Sequence, residues 1–364
     1  MKNILFVFGT RPEAVKMCPL ALALKKRAGV RVRVLVTGQH REMLASVLGF
    51  FGVVPDYDLA VMEAGQTLYD ITEKVMRGVR SVLEKERFCL VLVHGDTTTA
   101  FAAALAAFYA RVPVGHVEAG LRTHDIYSPY PEEFNRVAVD ALSNYCFAPT
   151  ERAAASLLAE GKAAERVFVT GNTVIDALAY TVQEDFSHDV LEFARGRKLM
   201  LITAHRRENL GAPMAAMFAG IKRALAAHTD VCAVCPMHPN PAVREAALAA
   251  FAGKKNVMLC EPLDVFAFHN ILARAHIAVT DSGGVQEDAP HFGVPVLVMR
   301  GATERQEAVD AGTARLIGTG EESVFRGICE VLENPAVYEK MARAENPYGD
   351  GRACERIADI LASI

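Results

Sequence analysis

The chain has 364 residues, 51% of them hydrophobic, and a formal net charge of −4. That length exceeds one ordinary domain and fits two, each able to bury its own core. The absence of a long basic run speaks against nucleic acid as a partner, although local Arg and Lys can still hold a nucleotide-sized anion. No segment has the length of a membrane-spanning helix, so no membrane partner is expected.

The chain opens on Met1-Lys2-Asn3 and a short apolar run, Ile4–Phe8. The run stops at Gly9 and so reads as a first strand rather than a signal peptide. A helix over 13–27, a strand over 30–37 and a helix over 68–85 follow. Next come a strand over 90–94, an Ala-rich helix over 98–110, and strands over 112–117 and 166–170. The second half repeats the style, with strands at 199–203, 231–236, 257–259, 277–280 and 294–299. Continuous apolar strands alternating with helices predict parallel sheets covered on both faces, the doubly wound α/β class. Periodicity fades over the polar stretch 184–197, which places a domain boundary near 170. Eight cysteines are scattered along the chain, and Cys232 and Cys235 sit in what reads as a buried strand rather than a metal or redox motif. Scattered thiols suit a reducing cytoplasm.

In parallel α/β sheets ligands gather beyond the carboxyl ends of the strands, and here those ends are polar. After the first strand stands Gly9-Thr10-Arg11-Pro12-Glu13-Ala14-Val15-Lys16. Cations near a helix start oppose its dipole, so Arg11 and Lys16 point to an anion between them, the alternative being two solvated charges. This loop matches neither the dinucleotide nor the P-loop fingerprint. Asp96 and Glu118 follow neighbouring strands, and Glu132 and Glu133 come soon after. One such acid can be a helix cap, as Asp96 before Thr98 would be. Several together suit acid/base chemistry, because clustered carboxylates raise one another's pKa. The spacings His94-x-Asp96 and His116-x-Glu118 also admit a divalent-metal site, since residues two apart on a strand share a face. In the second half, His205-Arg206-Arg207 ends a strand as a phosphate-facing cluster would. His238 lies in a proline-held turn. The strongest local signal is Thr280-Asp281-Ser282-Gly283-Gly284-Val285-Gln286-Glu287-Asp288. A strand stops, two glycines allow close backbone approach, and a helix N-terminus offers donors to phosphate, with Asp288 placed to reach a ribose hydroxyl. Arg300 and Arg305 add cations near the same edge.

These motifs, with Ser128-Pro129-Tyr130-Pro131-Glu132-Glu133, Gly171-Asn172-Thr173-Val174-Ile175-Asp176 and the stretch 346–351, resemble the bacterial non-hydrolysing UDP-N-acetylglucosamine 2-epimerases along nearly the whole chain. The resemblance implies two doubly wound Rossmann-like domains in GT-B architecture. These are an N-terminal acid/base domain over 1–170, a UDP-binding domain over 171–346, and a tail helix over 347–364 packing back on the first. It implies reversible conversion to UDP-N-acetylmannosamine by anti elimination of UDP and re-addition, with no cofactor and no metal. By motif position, Asp96, Glu118 and Glu132 are the acid/base candidates and His205 the group near the departing UDP. Arg11 and Lys16 grip the diphosphate, Ser282, Gly283 and Gly284 bind phosphate, Asp288 binds the ribose, and Phe268 and Arg305 contact the nucleotide. The family usually has Glu where this chain has Asp288. A second, regulatory site for UDP-N-acetylglucosamine would take Gln39, His40, Arg206 and His238, although a Gln common there is Glu42 here. A cytoplasmic homodimer is typical of the family.

Five other readings compete. A hydrolysing epimerase would release free sugar. A 2-epimerase of diacetamido-uronic acid nucleotides usually has Ala and Gln in the first motif, where this chain has Thr10 and Glu13. A GT-B glycosyltransferase needs an acceptor site, and a sugar-nucleotide sensor would not need three carboxylates. Outside these classes the runner-up is a metal-dependent hydrolase built on the His/carboxylate pairs.

Overall fold

The computed structural model of the chain describes residues 1–38, 41–63 and 65–363, and no side chain is described at Arg41, Glu42, Met43 or Arg207. Two compact units emerge: Met1–Ala177 with Tyr348–Ile364, and Leu178–Pro347.

In the first unit seven parallel strands are β1 (Lys2–Phe8), β2 (Val30–Val36), β3 (Tyr57–Asp58), β4 (Leu90–His94), β5 (Val114–Val117), β6 (Tyr145–Ala148) and β7 (Val167–Val169). They lie in the order β3-β2-β1-β4-β5-β6-β7. Ile4–Phe8 and Leu90–Val93 are wholly buried, as expected of central strands covered on both faces. The Ala-rich helix Thr98–Tyr109 packs against β1 and β4, its small side chains bringing it close to the sheet. The tail helix Ala353–Ser363 joins this unit. Lys2 Nζ donates to the Ala362 carbonyl at 2.5 Å, and Arg27 pairs with Asp359 at 2.8 Å.

The second unit holds six parallel strands: β8 (Lys198–Thr203), β9 (Val231–Pro236), β10 (Val257–Cys260), β11 (Ile277–Thr280), β12 (Val296–Val298) and β13 (Ala314–Leu316). Their order is β10-β9-β8-β11-β12-β13. Its core gathers Phe218, Phe251, Met200 and Ile221 between the sheet and the helices Ala212–Ala227 and Glu321–Glu333. Cys232 and Cys235 are buried in β9 with free thiols, and burial pushes the Cys235 thiol up to about 12, which leaves it inert.

β3, β6 and β13 are additions to the expected strands; β3 and β13 have only two and three residues, whereas β6 is a short apolar run, Tyr145–Ala148, that was not expected as a strand. Both sheets reverse their strand order once, between β1 and β4 and between β8 and β11. Such a reversal opens a crevice at the strand ends. No described helix is long and apolar enough to cross a membrane.

Candidate active site

The first crevice is built from the ends of β1, β4 and β5. Thr10 caps the helix Arg11–Lys25, and Glu13 closes a capping box by accepting the N–H groups of Gly9 at 3.0 Å and Thr10 at 2.7 Å. The same carboxylate accepts the Thr97 hydroxyl at 2.8 Å, tying this loop to the turn after β4. Burial raises the pKa of Glu13, while its bonds to Thr10, Thr97 and Gly9 oppose the rise. Thr97 rather than Asp96 caps the helix Thr98–Tyr109, so the cap explanation for Asp96 falls away. Asp96 instead takes an ion pair from Arg136, which also holds the buried Glu133 at 3.0 Å. Glu133 in turn accepts the N–H groups of Thr123 and His124 at 2.8 and 2.9 Å. Glu132 begins the same helix, Glu132–Leu142, and its buried Oε2 has no hydrogen-bond partner among the described residues.

Glu118 follows β5 with φ +68°, a left-handed conformation that is costly for a residue with a side chain. Its Oε2 meets the Lys16 ammonium and accepts Asn172 Nδ2 at 2.9 Å. Lys16, expected to grip a diphosphate, thus faces a carboxylate here. Arg11 is half-buried at the first position of its helix. The His94 ring is buried 3.7 Å from Glu118 Oε2. Burial holds its pKa down at about 3 against the pull of Glu118, with Lys16 acting in the same direction as burial.

The metal reading fails on His116. Its Nδ1 lies 2.6 Å from Asp140 Oδ1 and its Nε2 lies 2.7 Å from the Gly95 carbonyl, so neither nitrogen is available to a cation. Among the described residues, His228, Cys329 and Glu333 do bring three potential ligand atoms within 4.8 Å of one another. They lie away from the strand ends, and burial, with Glu333 adding to it, raises the Cys329 thiol pKa, which disfavours the thiolate a metal needs.

The second crevice forms beyond β8 and β11. The wholly buried Asp281 accepts the backbone N–H groups of His205 and Arg206 at 3.0 Å each, and Asn209 Nδ2 at 3.0 Å. His205 stacks on His238 with ring centroids 5.5 Å apart. Burial lowers its pKa, the nearby Asp281 opposing. Ser282 starts the helix Gly283–Asp288 without capping it through its side chain. A Cβ on Gly283 would come within 3.2 Å of Glu304 Oε1, whereas one on Gly284 would meet only Ser282 Oγ, at 4.0 Å. Glu304 gathers Arg206 at 2.5 Å and Arg300. Burial raises the pKa of Glu304, but a backbone hydrogen bond and the three arginines Arg300, Arg206 and Arg305 hold it at about 2. Arg305 Nε donates to Glu287 at 2.6 Å. Asp288 is buried with its Oδ2 3.7 Å from His269 Nε2, and Phe268 precedes that histidine on the helix Val265–Leu272. Gln39 and His40 lie outside the described residues.

A family model described as UDP-N-acetylglucosamine 2-epimerase matches residues 22–362. The chain belongs to the UDP-N-acetylglucosamine 2-epimerase family. It is 51% identical to the UDP-N-acetylglucosamine 2-epimerase of Bacillus subtilis over 359 residues, covering 99% of this chain and 94% of that one. It is also similar to a crystal structure from Listeria monocytogenes, at TM-score 0.95 and 50% identity, covering 100% and 96% of the two chains. A UDP-GlcNAc 2-epimerase from Neisseria meningitidis, solved bound to UDP-GlcNAc, superposes at TM-score 0.90 with 44% identity and full coverage of both chains. The two doubly wound units are accordingly the Rossmann-like pair of the GT-B epimerases.

Within this epimerase fold, Arg11, Asp96, His205 and Ser282 follow the strands that flank the two strand-order reversals, whereas Glu118 and Glu132 follow β5, His238 follows β9, Arg305 follows β12 and Phe268 lies on the helix before β11. Arg136 and Glu304 were given no role from the sequence, and Glu133, Asn172 and Asp281 stood there only inside motifs, without the partners they hold. For Glu13 a signal existed, since Thr10-Arg11-Pro12-Glu13 has the capping-box spacing.

Proposed function

We propose that the chain interconverts UDP-N-acetylglucosamine and UDP-N-acetylmannosamine by anti elimination of UDP and re-addition through a glycal. The C1–O bond breaks with its electron pair passing to the β-phosphate oxygen. A carboxylate takes the C2 proton, and a C1=C2 double bond forms. An acid then returns a proton to the opposite face of C2 as the UDP oxygen re-adds at C1. The acetamido group stabilises a C2 anion poorly, so departure of UDP leads and the proton follows. Inverting C2 calls for proton chemistry on both faces and hence more than one carboxylate. No hydride moves, so the reaction needs no redox cofactor.

The observation that carries this reading is the pair of carboxylates at neighbouring strand ends, Asp96 and Glu118, each aimed by a cation, Arg136 and Lys16. Asp96, Glu118 and Glu132 are assigned the acid/base work and His205 the group beside the departing UDP. Arg11 and Lys16 serve the diphosphate, with Lys16 exchanging Glu118 for phosphate as substrate enters. Ser282, Gly283 and Gly284 take phosphate, Asp288 the ribose, and Phe268 and Arg305 the nucleotide, so that one domain carries the proton chemistry and the other mostly holds UDP. Fixed cations on the leaving group stabilise charge that develops only as the bond breaks.

The protein is further proposed to work in the cytoplasm as a homodimer. Exposed Phe108 and Tyr109, with ring centroids 6.1 Å apart at the end of the helix Thr98–Tyr109, supply an apolar patch of the kind a second copy covers. A regulatory UDP-N-acetylglucosamine site on Gln39, His40, Arg206 and His238 belongs to the same proposal.

Positional isotope exchange tests the elimination. Substrate labelled with 18O in the bridging C1 oxygen should scramble the label into non-bridging β-phosphate positions as epimerisation proceeds. C2 inversion with the label still in the bridge would overturn C1–O cleavage.

A further inference from the structure

We infer that Asn172 is a positioning residue that fixes the Glu118 carboxylate, and that the returning C-terminal segment holds Asn172 in place. The inference rests on the assignment of Glu118 to proton chemistry.

Asn172 lies between β7 and the helix Thr173–Thr181 and is 3% exposed. The direction of its amide is settled by its neighbours. The Val174 N–H can only donate, and it reaches Asn172 Oδ1 at 3.1 Å in the manner of a helix cap. The amide nitrogen must therefore face the other way, where Nδ2 donates to Glu118 Oε2 at 2.9 Å. Lys16 reaches the same oxygen from a flexible stem and, as a phosphate ligand, would leave it when substrate enters. The Asn172 amide is short and locked, so it is the donor that stays. Glu118 needs such support, because its left-handed backbone is not self-stabilising.

Asn172 is itself clamped. Its N–H donates to the Tyr348 carbonyl at 2.7 Å. Gly171 and Gly349 both have positive φ, +89° and +122°, and a Cβ on Gly349 would lie 3.2 Å from the Gly171 Cα. Two backbones touch there, and only glycine permits it. Asp176 then accepts the N–H groups of Ala353 at 3.1 Å and Cys354 at 2.8 Å. The chain leaves the first unit after Ala177 and re-enters it at Tyr348. The turn that aims Glu118 is therefore the one on which both passages converge.

Asn172→Asp separates positioning from folding. It keeps an oxygen toward Val174, and hence the cap, but turns the donor facing Glu118 into a second carboxylate. The cap is kept, because Asn and Asp cap equally well, so what the thermal midpoint loses comes from the like charge set beside Glu118. The kcat should fall about 100-fold, and the acid limb of the kcat/KM profile should rise by about one pH unit, because a like charge beside Glu118 disfavours its ionised form. Asn172→Ser also caps, is too short to reach Glu118 and adds no charge. It should lose about tenfold in kcat, with a smaller rise of the limb. Wild-type kcat with an unmoved acid limb, in either variant that folds, overturns the inference. Glu118→Gln, run alongside, distinguishes the failures. If it turns over normally, the assignment of Glu118 fails. If it is inactive while Asn172→Asp and Asn172→Ser behave as wild type, only the positioning role of Asn172 fails.

Discussion

The buried carboxylate of Asp281 accepts the backbone N–H of His205 at 3.0 Å, so the loop after β8 hangs on the residue that follows β11. Asp281→Ala strands the His205 and Arg206 N–H groups and the Asn209 amide at once. Each unsatisfied buried donor costs about 1–3 kcal/mol, so the second unit should lose about 3 kcal/mol or more. Asp281→Asn, which keeps one acceptor oxygen, should lose less than half as much. Denaturant unfolding of the two variants checks the order, and equal losses would contradict it.

Arg136 joins Asp96 to the buried Glu133. Removing it leaves a buried carboxylate without its cation, which typically costs about 3–5 kcal/mol and also releases Asp96. Arg136→Ala is expected to be both less stable and at least about 100-fold slower. Arg136→Lys keeps the charge but not the fork that spans the two acids, and it should recover stability better than turnover. Thermal melts and initial rates on both variants measure this.

Stability should also depend on pH through His94. The ring's folded pKa of about 3 lies below the ordinary 6.5, so the unfolded chain binds the proton first. The stabilising contribution is full above about 6.5 and is lost as pH falls toward 3, by up to about 1.4 kcal/mol per pH unit. His269, held down to about 4 by burial, acts with the same sign over a narrower window. His94→Gln should therefore show a smaller drop in Tm between pH 7 and pH 5 than the parent chain. An identical drop in the two proteins would exclude the ring as a source.

Asp288 tests a departure from the family pattern. It is recessed beside His269 and is one methylene shorter than the usual Glu. Asp288→Glu should lower the KM for UDP-N-acetylglucosamine by about 2- to 5-fold without changing kcat, one added contact being worth under about 1 kcal/mol. An unchanged or higher KM would count against a ribose contact at this position.

The sequence exposed those features that depend on nearby residues. The apolar runs of β1, β4, β8 and β11 marked the central strands, and polar residues at their ends marked the two crevices. What stayed hidden was pairing across long separations. Arg136 reaches back 40 residues to Asp96, and Asn172 reaches back 54 to Glu118. Nothing local to an arginine inside an amphipathic helix, or to an asparagine that reads as a cap, signals such a partner. Lys16 was hidden in another sense: its charge was legible, but not that it faces a carboxylate. The strands β3 and β13 were invisible because two or three residues carry no periodicity.

The most direct measurement follows the proton spectrum of the protein with UDP-N-acetylglucosamine in D2O containing EDTA. The expected product is UDP-N-acetylmannosamine carrying deuterium at C2, with sugar and UDP still joined at equilibrium. Free N-acetylmannosamine, or no turnover until a divalent metal is restored, would contradict it.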